Sequence, residues 1–254
     1  MKMFLSVLAG VLVACGAGAQ ESAADLAARL NGLQQDGTSF IRLKMDMPQG
    51  ALQVQIKQRR TAGATEVVYQ VLWPKERAGE AVLLKKNGKQ GATGAVFVPP
   101  DTVRTLDASQ MKGGVFGSDL AYADVLENFF AWENQAIVGT ENVGRTSCQI
   151  LESKPGKGDR SIYSSVRTWV DTRRLVPMKV EKYAAGGKLA RRIDTTRVVT
   201  QDGRALPANL TVHDAQKGTA TDLDGSNIKR GVSFDDREFT AEGLKAMTPP
   251  RKGD

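Results

Sequence analysis

From Leu52 onward, apolar residues recur at every second position in short runs separated by turn residues, and that period constrains the fold more than anything else in the chain. Leu52, Val54 and Ile56 alternate with Gln53, Gln55 and Lys57, which gives a strand one dry face and one wet face. Thr65–Trp73 sets Val67, Tyr69, Val71 and Trp73 on one face and Val68 and Leu72 on the other, the pattern of a central strand covered on both sides. Strand-like runs continue at Ala81–Lys86, Gly94–Val98, Ile137–Ser153, Ser161–Asp171, Pro177–Ala184, Lys188–Thr200, Ala205–Asp214 and Thr219–Asp224. Asn87-Gly88, Gly156–Asp159, Ala185–Gly187, Asp202-Gly203 and Lys217-Gly218 punctuate them as turns. Connections this short join antiparallel neighbours, because parallel pairing needs a long crossover. A single sheet of about ten such strands curls or closes. The expected class is therefore mainly β (α+β): a strongly curved antiparallel half-open β-barrel with an N-terminal helix and a helical lid.

The lid is expected from Val96–Phe130, the one long break in the strand pattern. Pro99 and Pro100 remove two backbone donors and end the preceding strand, and Gly113-Gly114 predicts a flexible turn. Tyr122, Val125, Leu126, Phe129 and Phe130 then follow at i, i+3, i+4, i+7 and i+8, one apolar stripe of a single helix. The other helices are expected at Ser22–Gln35, ended by Gly37, and at Thr240–Met247. No second sheet is left to fill the concave face, so the middle helix is its natural filler.

Met1–Ala19 has the layout of a secretory signal peptide: Lys2, the apolar run Met3–Val13, and small residues ending Ala17-Gly18-Ala19. The apolar run is short for a membrane span, and cleavage leaves a single domain from Gln20 to Asp254. The alternative to this favoured site is a lipobox at Leu12-Val13-Ala14-Cys15, in which residues 1–14 are the signal and Cys15 is lipidated. Both alternatives take the protein out of the cytoplasm, the second with a membrane anchor. Cys148 is then left without an intramolecular cysteine partner and reads as a small buried hydrophobe. The 35 basic residues exceed the 28 acidic ones by a formal charge of +7, but they are dispersed through strand sequence, which argues against nucleic acid and is compatible with an anionic membrane surface.

Residues that carry chemistry are sparse. His213 stands alone on the strand face opposite Leu210 and Val212. Gly117-Ser118-Asp119-Leu120 transposes the serine and aspartate of a GDSL hydrolase motif and reads as the lead into the lid helix. Asp222–Asn227 starts like a calcium loop but lacks its later ligands and reads as a turn. Asp235, Asp236 and Glu238 do not define a glycosidase pair, and no phosphate-binding loop or dinucleotide fingerprint is present. Neither an enzyme, a metal nor a cofactor is indicated.

Phe97-Val98-Pro99-Pro100, then Phe116–Val125, then Trp169-Val170-Asp171 through Pro177–Tyr183 and Gly187-Lys188-Leu189 together resemble the outer-membrane lipoprotein-sorting protein family, the LolA-like carriers, over about Ser39 to Leu244. The resemblance implies a half-open barrel whose apolar hollow receives acyl chains, with an arginine that controls lid closure. Arg42 and Arg104 are the candidates for that arginine. Ala121 stands where the family has a serine or threonine cap, so the cap is expected at Ser118 or Asp119. The first functional reading is a periplasmic carrier of lipid or lipoprotein acyl chains, with transient membrane contact and no chemical step. Its lipid-binding residues are Leu52, Val54, Ile56, Tyr69 and Val71 on the concave face and Tyr122, Leu126, Phe129 and Phe130 on the lid. The second is a membrane-associated envelope module, without carrier activity, for a partner such as an inner-membrane lipid transporter.

Overall fold

In the computed structural model, residues 21–34, 37–88 and 91–246 are described. The signal segment with Cys15 and the tail after Ala246 lie outside them. The chain runs α1 (Ala23–Gln34), β1 (Gly37–Met47), β2 (Gly50–Arg60), β3 (Ala64–Trp73), β4 (Ala81–Asn87), β5 (Thr93–Val98) and β6 (Thr102–Leu106). A crossing segment containing α2 (Tyr122–Leu126) leads to β7 (Asn134–Val143), β8 (Thr146–Lys154), β9 (Ser165–Asp171), β10 (Val176–Tyr183), β11 (Leu189–Gln201), β12 (Arg204–Asp214), β13 (Thr219–Arg230) and α3 (Ala241–Ala246).

All thirteen strands form one antiparallel sheet in the order β6-β5-β4-β3-β2-β1-β13-β12-β11-β10-β9-β8-β7. The edges β6 and β7 do not pair, so the barrel stays open. Those two strands are consecutive in the chain yet lie at opposite edges, which forces the segment between them to cross the sheet. Lys86 at the end of β4 and Lys182 on β10 both reach this segment, at Glu127 and Asp124. In a flat sheet the seven strand steps between β4 and β10 would hold them about 34 Å apart, so the sheet is strongly curved.

The strand count exceeds the expectation at three places. Gly37–Met47 is a strand with Met45 and Met47 buried, Thr102–Leu106 is a strand where loop was expected, and Ile137–Ser153 divides at Gly144, whose φ of 58° makes a hairpin. Asp222–Asn227 is strand rather than turn. The β1–β13 register slips between Arg42 and Lys44, and a Cβ on Gly225 would lie 2.8 Å from the Leu43 Cβ, so only glycine fits this bulge.

The outer face of β2–β5 is also covered, against the expectation of a wet face for β2. Phe239 and Leu244 pack on Val68, Ala81, Leu83, Ala95 and Phe97. Lys57 and Arg59 pair with Glu238 and Asp236 of the same C-terminal segment, and buried Gln55 donates to Gln70 at 2.6 Å. Thr240 caps α3 by accepting from the Gly243 N–H at 2.9 Å.

Candidate functional site: the lid and the concave face

Strand alternation brings Leu52, Val54, Ile56, Tyr69 and Val71 onto the inner face of β2 and β3, all buried in one cluster with Met45, Met47, Val82 and Leu84. The crossing segment fills the hollow above them with Met111, Val115, Phe116, Val125 and Leu126, and half-buried Tyr122 packs on the same cluster. Burial raises the Tyr69 phenol to about 12, against the opposing charge of Arg60.

The lid departs from the single helix expected. α2 has five residues and stops where Glu127 takes an extended ψ of 123°; Phe129–Ala131 then form a separate 3-10 turn. Phe129 and Phe130 therefore face a different cluster, packed with Leu26, Ala27 and Leu30 of α1 and with Trp132, Leu151, Val166 and Val170. The helix break is what turns the chain from one apolar cluster to the other.

Gly113-Gly114 is not a loose hinge. The Val115 N–H donates to the Leu120 carbonyl at 2.8 Å and the Tyr122 N–H to the Gly113 carbonyl at 2.9 Å, closing a compact loop. Gly114 is required because a Cβ there would sit 1.7 Å from the Ser118 carbonyl oxygen. The helix cap stays at Ala121, whose N–H donates to Asp124 Oδ2 at 2.9 Å; Ser118 and Asp119 do not take over the cap. Asp119 instead ties the loop to β13, accepting from the hydroxyls of Thr219 at 2.6 Å and Thr221 at 2.8 Å.

Asp124 is the centre of the lid's attachment. It is buried, with Oδ1 accepting from Lys182 Nζ at 2.7 Å and from the Tyr163 hydroxyl at 2.6 Å, and with Arg191 Nε 3.0 Å from Oδ2. Arg191 in turn donates to Asp214 at 2.8 Å. Burial opposes the Asp124 charge, but Lys182, Tyr163 and Arg191 outweigh it and hold the carboxyl below its ordinary value. Asp214 is likewise burdened by burial, yet Arg191 and the Gln216 and Lys217 backbone N–H groups hold it at about 2. The Tyr163 phenol is pushed up by burial and by Asp124.

On the opposite wall, Arg60 Nη2 donates to the Val125 carbonyl at 2.9 Å and Lys86 reaches Glu127 at 3.4 Å, while Ser161, from the β8–β9 connection beside Tyr163, donates to Glu127 at 2.9 Å. Arg60 is thus an arginine bonded directly to the lid. Of the two arginines expected in that place, Arg42 is exposed over the Phe40 ring and Arg104 is exposed near Tyr122. A cleft of about 410 Å³ opens beside Leu126, lined by Ala92, Ala108, Met111, Ala123 and Ile162, with Lys86, Glu127 and Arg160 among its polar lining. A second, of about 220 Å³, reaches Leu126 from the Thr61–Thr65 side.

A family model described as "-like: Uncharacterized protein" matches residues 63–246. The chain belongs to that family. No curated protein matches it. Among solved structures, a DUF1329 family protein from Desulfovibrio piger ATCC 29098 superposes with a TM-score of 0.79 at 21% identity, covering 87% of this chain and 97% of that one. An outer membrane lipoprotein-sorting protein domain from Vibrio parahaemolyticus gives 0.75 at 19% identity over 86% and 97%, and a LolA superfamily protein from Nitrosomonas europaea gives 0.66 at 20% over 87% and 98%. The fold is therefore that of the outer-membrane lipoprotein-sorting proteins, as the sequence motifs suggested.

The sequence alone does not single out Asp124, Lys182, Arg191, Tyr163 or Arg60, the residues that fasten the lid. The available signal was an acidic residue on an otherwise apolar lid helix, together with lysine and arginine on strands that face it. Elsewhere, Cys148 is buried, and burial raises its thiol pKa. His213 has company after all, with Nε2 at 3.0 Å from Asp194. Among the described residues no cluster of His, Cys, Asp and Glu could hold a metal, and no helix is long and apolar enough to cross a membrane.

Proposed function

We propose that the protein is a periplasmic carrier that accepts acyl chains of a lipid or lipoprotein between the lid and the concave sheet, with no chemical step. The mature carrier is one domain beginning at Gln20, released from its signal segment. The observation that carries this reading is the mode of attachment of the lid. An apolar face of Leu52, Val54, Ile56, Tyr69 and Val71 is covered by a segment that adds its own apolar side chains and is fastened at both walls by discrete polar contacts. An acyl chain replaces Leu126 and its neighbours on that face while gaining about 0.8 kcal/mol for each methylene withdrawn from water. The 410 Å³ cleft beside Leu126 falls within the roughly 300–1,000 Å³ span of ligand sites and supplies the entry. Two solved structures with this fold, a lipoprotein-sorting protein domain and a LolA superfamily protein, support the same reading.

Native mass spectrometry of the mature protein tests it. Acyl lipids are expected to be released on denaturation, and purified protein is expected to take up a fluorescent fatty acid that Leu126→Trp displaces. Protein that is empty and takes up no acyl ligand overturns the proposal.

A further inference from the structure

A third cleft, of about 410 Å³, lies where the end of α1 meets the β9–β10 and β11–β12 hairpins, and it shares no lining residue with the clefts beside Leu126. Its walls carry Arg173, Arg174, Arg204 and Arg230, and its apolar surface comes from Leu33, Leu175 and Leu206. We propose that this cleft takes the acidic phosphate headgroup of a bilayer phospholipid, making this end of the barrel the place where the protein meets a membrane.

The balance of charge is the first support. Arg174 is held by Asp171 at 2.5 Å, and Arg230 lies 3.6 Å from Asp202. Arg173 and Arg204 are exposed, and among the described residues neither has a carboxylate in ion-pair range. The cleft thus holds two arginine side chains whose donors face solvent, and a planar guanidinium binds a phosphate through paired N–H donors. The second support is that the turn presenting them is built. Asp171, itself buried, accepts from the backbone N–H of Arg173 at 3.0 Å and of Arg174 at 3.3 Å, and Leu175 is fixed in the left-handed region at φ 55°. The third is the apolar part. Leu33 is 38% exposed at the end of α1, one of the few large hydrophobic residues left open, and with Leu175 and Leu206 it offers the carbons next to a headgroup a surface that an inorganic anion does not use.

This inference uses none of the residues assigned to acyl-chain binding, so either can fail alone. The experiment is co-sedimentation of the mature protein with vesicles of phosphatidylcholine, with and without phosphatidylglycerol. Binding is expected only with phosphatidylglycerol. Each arginine near an anionic surface contributes about fivefold, so Arg173→Ala with Arg204→Ala is expected to weaken binding about thirtyfold. Lys157→Ala with Lys188→Ala removes the same charge from the β8–β9 and β10–β11 connections at the other end of the strands and is expected to change binding less than threefold. Leu33→Gln is expected to weaken vesicle binding severalfold at unchanged charge. Equal losses from both double variants overturn the site in favour of diffuse charge attraction. Inorganic phosphate that competes fully at micromolar concentration, with Leu33→Gln silent, overturns the lipid assignment in favour of a free-phosphate site. Circular dichroism of each variant separates these outcomes from misfolding, and Arg173→Lys with Arg204→Lys, which keeps charge without the paired donors, is expected to bind between wild type and the alanine pair.

Discussion

Two covers lie over one concave sheet, and they are held by different physics. α1 with Phe129, Phe130 and Trp132 closes the β7–β10 side through continuous apolar packing: Leu26, Ala27 and Leu30 are buried against Leu151, Val166 and Val170. The stretch from Met111 to Leu126 closes the β2–β4 side through apolar side chains as well, but the residues that fix its position are Asp119, Asp124 and the Val125 carbonyl, each bonded to a different strand. Apolar packing is non-directional and is lost gradually as surfaces part, whereas a buried ion pair is lost within a small displacement. The proposed carrier role asks the second cover to let go as a unit while the first stays.

The largest effect is expected from breaking the second cover at its centre. Asp124→Ala leaves buried Lys182 without the carboxylate it donates to and Arg191 with Asp214, and removal of one partner of a buried pair costs about 3–5 kcal/mol. Hydrogen exchange should then rise across residues 111–126 while the amides of β8 and β9 stay protected. Equal loss of protection in both regions would show that the two covers are one cooperative unit. Leu26→Ala breaks the first cover instead, at about 2–5 kcal/mol for a large-to-small change at a fully buried site. Its mark should be a lower urea midpoint for the whole protein, without selective exposure of the lid.

Acid sharpens the contrast. Asp124 and Asp214 both titrate lower in the folded protein than in the unfolded chain. Their stabilisation is therefore fully present above the unfolded value of about 3.9 and fades as pH falls below it, for Asp214 down to about 2. Lid protection in the wild type, taken relative to the intrinsic amide exchange rate at each pH, should fall below about pH 4, and the dependence should flatten in Asp124→Asn. Among the described residues α1 packs through Leu26, Ala27 and Leu30 on apolar side chains, so its protection should follow the lid only at global acid unfolding.

The same contrast explains what was legible in the sequence. Period-two alternation exposes the inner residues Leu52, Val54, Ile56, Tyr69 and Val71 directly, because burial on one face of a strand is a local pattern. The lid stripe misled because Tyr122 to Phe130 satisfies helical spacing throughout, yet Glu127 and Asn128 are drawn to Lys86, Ser161 and Asn31, and those tertiary partners end the helix. β1 escaped notice although Ile41, Leu43, Met45 and Met47 alternate, since Arg42 and Lys44 look like ordinary loop charge. Lys182 and Arg191 were unreadable as a site because only the β10–β11 pairing and the curl of the sheet bring them to Asp124.

The smallest expected effect tests whether the covers are coupled at all. Asn128 Nδ2 donates to Asn31 Oδ1 at 2.8 Å, and this bond joins the end of the lid to the last turns of α1. Asn128→Ala removes a single neutral hydrogen bond, worth about 0.5–1.5 kcal/mol. If the lid moves as a unit hinged at Glu127, the change should speed exchange in residues 111–126 by a few-fold and leave the urea midpoint nearly unmoved. If Phe129 and Phe130 travel with the lid, the loss should appear equally at α1, since the aromatic residues then carry the α1 surface with them. A double variant with Asp124→Asn decides between these, because independent covers give additive changes in lid exchange and a coupled pair does not.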